Sequence, residues 1–177
     1  MKSGEPGSVY ELDELYWFIN KKADTETKEN VYLMTMICPE PRMIVGFEVA
    51  MDKGAARIQN IVDGAPEADF YRTDGYGGYL DVVFPSDHVR NTRDKKDTHN
   101  VESIKADLRT YIPVLARRSR CFCRCLETLK AVIEVFVDAY NAFGVAKLRH
   151  RVPVVHTSPA KHLHKFRDPR CSILDFL

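Results

Sequence analysis

The 177-residue sequence predicts one α/β domain whose mixed sheet has three antiparallel strands followed by two parallel strands, flanked by helices. Three observations favour this class. Three apolar, strand-like runs follow one another across short polar turns. Helical and strand-like segments then alternate along the chain. Hydrophobic residues make up 45% of the sequence, which is enough to form a sizeable core.

The strand-like runs come first in the chain. Residues 9–19 mix aromatic and branched side chains with acids, and the runs at residues 31–38 and 43–51 are apolar. The polar residues 21–30 are interpreted as the turn between the first two strands. Because such connections are short, the three strands are expected to form an antiparallel meander.

Helices and strands alternate after this meander. Residues 54–62 place their apolar side chains on one helical face, and residues 69–73 form a strand that leads into an Asp-Gly turn. Residues 79–84 are interpreted as a short helix and residues 88–92 as a brief fifth strand. Three meandering strands followed by this alternation is the element order of a ribonuclease-H-like sheet.

Two longer helices complete the predicted domain. Apolar residues recur at helical spacing from residue 98 until Pro113 interrupts them. Residues 128–143 carry one continuous apolar stripe that ends before Gly144. Both helices therefore have an apolar face that can cover the sheet.

The rest of the chain sets the domain limits and the compartment. We expect residues 9–145 to form the domain, residues 1–8 to be a lead-in or an expression remnant, and residues 146–177 to be a basic tail or arm. No run approaches the roughly 20 apolar residues that span a bilayer, and no secretory signal opens the chain. An odd number of cysteines, five, favours a reducing cytoplasm.

The formal net charge of +1 conceals an uneven distribution. Basic residues crowd the stretch 117–124 and the end of the chain, whereas most acids lie in the first two thirds. This asymmetry indicates a polyanionic partner, with an ordinary solvated helix face as the alternative.

Three acids stand out by their placement. Asp13 lies inside the first strand between Glu11 and Glu14, Asp74 ends a later strand, and Glu102 lies one turn into a helix. Strand alternation places Glu11 and Asp13 on one face and Glu14 on the other. Two-metal phosphoryl-transfer enzymes need such carboxylates to hold two cations about 3.5–4 Å apart. The alternative is three ordinary surface acids among the 25 acids of the chain.

Four sequence blocks occur in order within residues 9–143. They are Glu11-Leu12-Asp13-Glu14 with Lys21-Lys22, Thr73-Asp74-Gly75-Tyr76, Thr98-His99-Asn100-Val101-Glu102 with Leu108-Arg109, and the basic run 117–127. Together they resemble the insertion-sequence-one family of bacterial DDE transposases. The resemblance implies a ribonuclease-H-like fold and the cleavage and strand transfer of DNA at transposon ends.

The resemblance also implies a site and its partners. Asp13, Asp74 and Glu102 would be the catalytic ligands of two Mg²⁺ or Mn²⁺ ions. DNA would be the partner, the active complex would self-associate, and the protein would lie with the bacterial nucleoid in the cytoplasm. Basic side chains expected to contact DNA are His99, Lys105, Arg109, Arg117, Arg118, Arg120 and Arg124. For His99, a capping or packing role is an equal alternative.

The chain departs from the family pattern in two places. Ser103-Ile104-Lys105 follow the glutamate where the family usually carries asparagines. The chain also begins almost at the first catalytic strand, without the family's zinc-finger and helix-turn-helix region, and is therefore expected to be a fragment, a relic or one product of a split gene. A nuclease or resolvase of the same fold and a catalytically inactive DNA- or protein-binding relic remain the alternatives.

Overall fold

The computed structural model describes residues 9–19, 29–40, 42–91, 99–116 and 123–143, which form five strands and three α-helices. The strands are β1 (Val9–Ile19), β2 (Glu29–Cys38), β3 (Met43–Ala50), β4 (Phe70–Thr73) and β5 (Asp87–Arg90). The helices are α1 (Ala55–Gly64), α2 (His99–Tyr111) and α3 (Leu126–Phe143). Short 3₁₀ turns lie at Gly77–Asp81 and Pro113–Leu115.

The five strands form one mixed sheet in the order β3-β2-β1-β4-β5. β1 and β3 run antiparallel to β2. β4 runs parallel to β1, because the connection between β3 and β4 crosses over through α1. β5 runs parallel to β4 and follows it after the connection that contains the 3₁₀ turn Gly77–Asp81. The predicted α/β class, with three antiparallel strands and then two parallel strands flanked by helices, is confirmed.

Helices cover both faces of the sheet, so that the central strand β1 is buried on both sides. Tyr10 and Leu12 of β1 pack with α1 in one apolar cluster. Leu15 and Ile19 pack with α2 and α3 in the other cluster. The side chains alternate in this way because successive residues of a strand point to opposite faces. An acidic side chain on β1 therefore either lies beneath a helix, where it needs a hydrogen-bond or ion-pair partner, or lies near the end of the sheet.

Most predicted elements lie where the sequence places them, with two corrections. The helix expected at residues 79–84 is a 3₁₀ turn at Gly77–Asp81, which the two glycines and a buried Tyr79 hold close to the end of β4. Glu29 and Asn30, expected in a turn, pair with β1 and belong to β2. The lead-in 1–8, the tail 146–177 and the other residues of that predicted turn lie outside the described residues.

Among the helices of the described ranges, none has the length and apolar character needed to cross a bilayer.

Candidate metal centre

Asp74 directly follows the carboxyl end of β4, and Asp13, in the middle of β1, lies beside it. The last paired residues of these parallel strands are Leu12 and Thr73, so that each aspartate is the next residue of its strand or loop. The Asp74 carboxylate accepts a hydrogen bond from the backbone N–H of Tyr76 at 2.9 Å. The Asp13 Oδ1 atom accepts one from the backbone N–H of Glu14 at 2.7 Å. Backbone contacts thus fix both carboxylates beside the carboxyl end of β4, and open α/β sheets place their ligand sites at such strand ends.

Glu14 is the third acid beside the end of β4. Carboxylate oxygens of Asp13, Glu14 and Asp74 all lie within 4.8 Å of one another, and they are the one such cluster found among the described residues. The Glu14 side chain is only 6% exposed, although it starts on the opposite face of β1 from Asp13. The three side chains meet because β4 ends at Thr73 and leaves the edge beyond it open.

Burial dominates the electrostatics of Glu14. Desolvation raises the pKa of its carboxyl group, and the neighbouring charges of Asp74 and Asp13 raise it further. A hydrogen bond from the Tyr79 hydroxyl and the charge of Lys53, whose Nζ lies 3.5 Å from Oε2, act in the opposite direction. The pKa of Tyr79 is itself raised well above its ordinary value, by burial and then by Glu14. Lys53 and Tyr79 thus offset only part of the effect that burial and the neighbouring aspartates have on the pKa of Glu14.

Lys53 is held in place from two sides. It lies in the loop between β3 and α1, and its ammonium stands 3.6 Å above the centre of the Tyr76 ring. The Tyr76 hydroxyl in turn donates to the Lys53 carbonyl at 3.2 Å. The loop after Asp74 and the loop before α1 are thus tied together beside Glu14.

Lys105 approaches the cluster from the other face of the sheet. It lies on α2, and its ammonium forms an ion pair with Asp13 Oδ2. Both side chains are only 11% exposed, so that water screens this pair weakly. Lys105 follows Val101 by four residues and precedes Leu108 by three, and both of those residues are fully buried. The lysine therefore belongs to the sheet-facing side of the helix.

Glu11 holds the beginning of α2 against β1. Its fully buried carboxylate accepts hydrogen bonds from the Asn100 side-chain amide at 2.7 Å and from the Val101 backbone N–H at 3.1 Å. The first N–H groups of a helix have no partner within the helix, and an acid there also complements the helix dipole. Glu11 thereby sets where Lys105, one turn further along, meets Asp13.

The predicted triad is brought together only in part. Asp13 and Asp74 converge as expected, whereas Glu102 lies exposed on α2 outside the cluster. Glu102 and Lys105 lie three positions apart, about 60° around a helix, and with α2 in this orientation Lys105 is buried against the sheet while Glu102 is exposed. The expectation that Glu102 converges with the two aspartates is not met in this arrangement.

The basic residues expected to contact DNA have different positions. Lys105 is buried against Asp13, so its ammonium is not presented to an outside phosphate. Arg109 is half-buried on α2, and Arg124 is exposed before α3. Arg117, Arg118, Arg120 and the side chain of His99 lie outside the described residues.

Sequence reasoning missed the roles of Glu14 and Glu11. Strand alternation directs the side chains of Glu14 and Asp13 to opposite faces, but beyond Thr73 β4 no longer separates these faces beside β1. The feature that could have found Glu14 is its position next to Asp13, which lies one residue past the last β1 residue that pairs with β4. No local pattern marks Glu11, because its partners lie 89 and 90 residues away.

Comparison with protein-family models and with curated proteins finds no match to this chain. The arrangement of side chains is therefore what supports a function.

Proposed function

We propose that this chain is the catalytic domain of a DDE transposase similar to the insertion-sequence-one family, with a ribonuclease-H-like fold. Its activity would be metal-dependent cleavage and strand transfer of DNA. The observation that carries the proposal is the meeting of Asp13 and Glu14, in the middle of β1, with Asp74 at the carboxyl end of the adjacent parallel strand β4. The strand order β3-β2-β1-β4-β5 is compatible with that fold.

The donor set fits a hard divalent cation. Mg²⁺ and Mn²⁺ prefer carboxylate oxygens, and three of them lie within reach of one ion here. Glu14 Oε1 is buried and has no hydrogen-bond partner among the described residues, although leaving a buried acceptor unpaired is costly. A bound cation would satisfy this oxygen.

The residues at the candidate metal centre would have different roles in the reaction. Asp13, Asp74 and Glu14 would hold the cation, with Glu102 added as the resemblance implies. The bound metal would supply activation of the attacking hydroxyl and stabilisation of the leaving oxygen. The Tyr76 backbone orients Asp74, the Tyr79 hydroxyl partly offsets the effect of burial on the pKa of Glu14, and Lys53 limits the repulsion between the acids.

A metal-independent DNA-binding relic is the second candidate. The observation in its favour is the Lys105–Asp13 ion pair, because an ammonium already neutralises the carboxylate that a catalytic ion would need. A relic of this kind would bind DNA equally well in EDTA and would not cut it.

Substitution of Asp13 by asparagine separates the two candidates. Asp13→Asn should keep the fold and abolish nicking of supercoiled plasmid and joining of 3′-hydroxyl oligonucleotides in Mn²⁺, because one ligand charge is lost. Asp138→Asn, at an exposed position of α3, is the matched control and should behave as the unsubstituted protein. Near-normal cleavage by Asp13→Asn would exclude Asp13 as a ligand, and hydrolysis without joining would favour a nuclease.

DNA binding by the chain should be weak and insensitive to sequence. Phosphate contacts from basic side chains position a duplex without reading its bases. The dissociation constant should be about 10⁻⁴–10⁻⁶ M at physiological salt and should rise steeply with salt. Reversing the charges of Arg117 and Arg118 should weaken binding to several unrelated duplexes alike. A salt-insensitive, nanomolar preference for one duplex would contradict this.

A further inference from the structure

Both carboxylate oxygens of Asp13 are already occupied within the protein. Oδ1 accepts the backbone N–H of Glu14 at 2.7 Å, and Oδ2 contacts the ammonium of Lys105. A carboxylate oxygen can accept more than one contact, but a divalent cation bound to Asp13 would be repelled by the adjacent Lys105 ammonium, and its binding therefore favours departure of a donor. The backbone donor belongs to the central strand and cannot move without disturbing the sheet. The ammonium stands at the end of a long side chain and can move away by rotation about its own bonds.

The charges around the cluster also indicate that the Lys105 ammonium is the donor that a metal ion would displace. Asp13, Glu14 and Asp74 carry three negative charges, and the nearby Lys105 and Lys53 carry two positive charges. Lys53 lies at 3.5 Å from Glu14 Oε2 and leaves Oε1 without a hydrogen bond. Lys105, in contrast, lies on the Asp13 oxygen that the backbone leaves open. Lys105 is thus the cation that a metal ion would replace.

We propose that Lys105 is a built-in counter-cation that competes with a divalent metal ion for Asp13 Oδ2. Metal loading and release of the Lys105 ammonium are then one coupled event. The inference rests on the metal site of the proposed function and adds to it a device that keeps the site closed to weakly bound ions. It also explains why a lysine lies within the apolar, sheet-facing side of α2.

The first test is Mn²⁺ affinity, measured from the electron paramagnetic resonance signal of free Mn²⁺. Lys105→Met should bind Mn²⁺ about tenfold more tightly or better, because a unit positive charge a few ångströms from the ion is removed. Lys130→Met, the same change at an exposed position of α3, should leave the affinity unchanged. Equal affinity of Lys105→Met and the unsubstituted protein would overturn the inference.

The second test uses the unsubstituted protein and does not depend on the folding of a variant. Lysine acetylation by acetic anhydride is followed by mass spectrometry with and without Mn²⁺, with Lys130 as the internal reference. Acetylation of Lys105 should become several times faster, with the same Mn²⁺ midpoint as binding. An unchanged rate while Mn²⁺ saturates its site would overturn the inference.

The DNA assay separates this inference from the proposed function. A Lys105-sensitive Mn²⁺ site in a protein that neither cuts nor joins DNA would end the transposase proposal and support the counter-cation role. Strand transfer by a protein whose Mn²⁺ affinity does not depend on Lys105 would support the transposase proposal and end the counter-cation role. Absence of Mn²⁺ binding to every variant would refute both.

Discussion

Removing the Glu11 carboxylate tests whether this side chain positions α2 over the candidate metal centre. Glu11 is fully buried and accepts two hydrogen bonds, from the Asn100 amide and from the Val101 backbone N–H. Hydrogen bonds to a charged group contribute about 1.5–3 kcal/mol each. In Glu11→Ala both donors lose their partner inside the protein, while the cost of burying a carboxylate is also removed. The two effects together predict a loss of about 2–4 kcal/mol in the free energy of unfolding.

Urea unfolding followed by circular dichroism measures this loss. Glu127→Ala provides the control, because Glu127 lies in the first turn of α3 but is exposed. Its effect should stay at or below about 1 kcal/mol, the usual contribution of an acid at an exposed helix N-terminus. If Glu11→Ala lost no more stability than Glu127→Ala, the claim that Glu11 fixes the beginning of α2 would be refuted.

Two further substitutions test the cluster and the core. Burial raises the pKa of the Glu14 carboxyl group above its ordinary value of 4.5, so that ionising this group lowers the stability of the folded protein. This cost is absent below the unfolded-state pKa and grows as the pH rises through the folded-state pKa. Glu14→Gln should therefore raise the melting temperature of the metal-free protein at pH 7 and lose this advantage below about pH 4.5, and an equal gain at both pH values would contradict the prediction. A Cβ atom at Gly46 would lie 2.7 Å from Ile61 Cγ2 and 3.3 Å from the Ile61 carbonyl oxygen, so Gly46→Ala should destabilise by about 1–3 kcal/mol in urea unfolding. Gly64→Ala, which meets no atom within 4 Å, is the control, and equal effects of the two substitutions would argue against close packing of α1 on β3.

The sequence by itself determined the order of the elements and the position of two acids. Apolar runs with strand or helix periodicity are local features, and β1 (Val9–Ile19) was predicted with the limits that the structure shows. The neighbouring positions of Asp13 and Asp74 also followed from local signals, because each lies on or directly after a predicted strand. Because β4 pairs in parallel with β1 up to Leu12 and Thr73, the next residue of each segment lies beside the other.

Only the tertiary structure decided which other charged side chains reach these two aspartates. Whether Lys105 or Glu102 faces the sheet depends on the rotation of α2, which the packing of Val101, Ile104 and Leu108 fixes. Glu14 joins the cluster because β4 ends at Thr73, and strand length depends on pairing with a partner rather than on the residues of one strand. These choices come from contacts between residues far apart in the chain, and a local pattern of side chains does not encode such contacts.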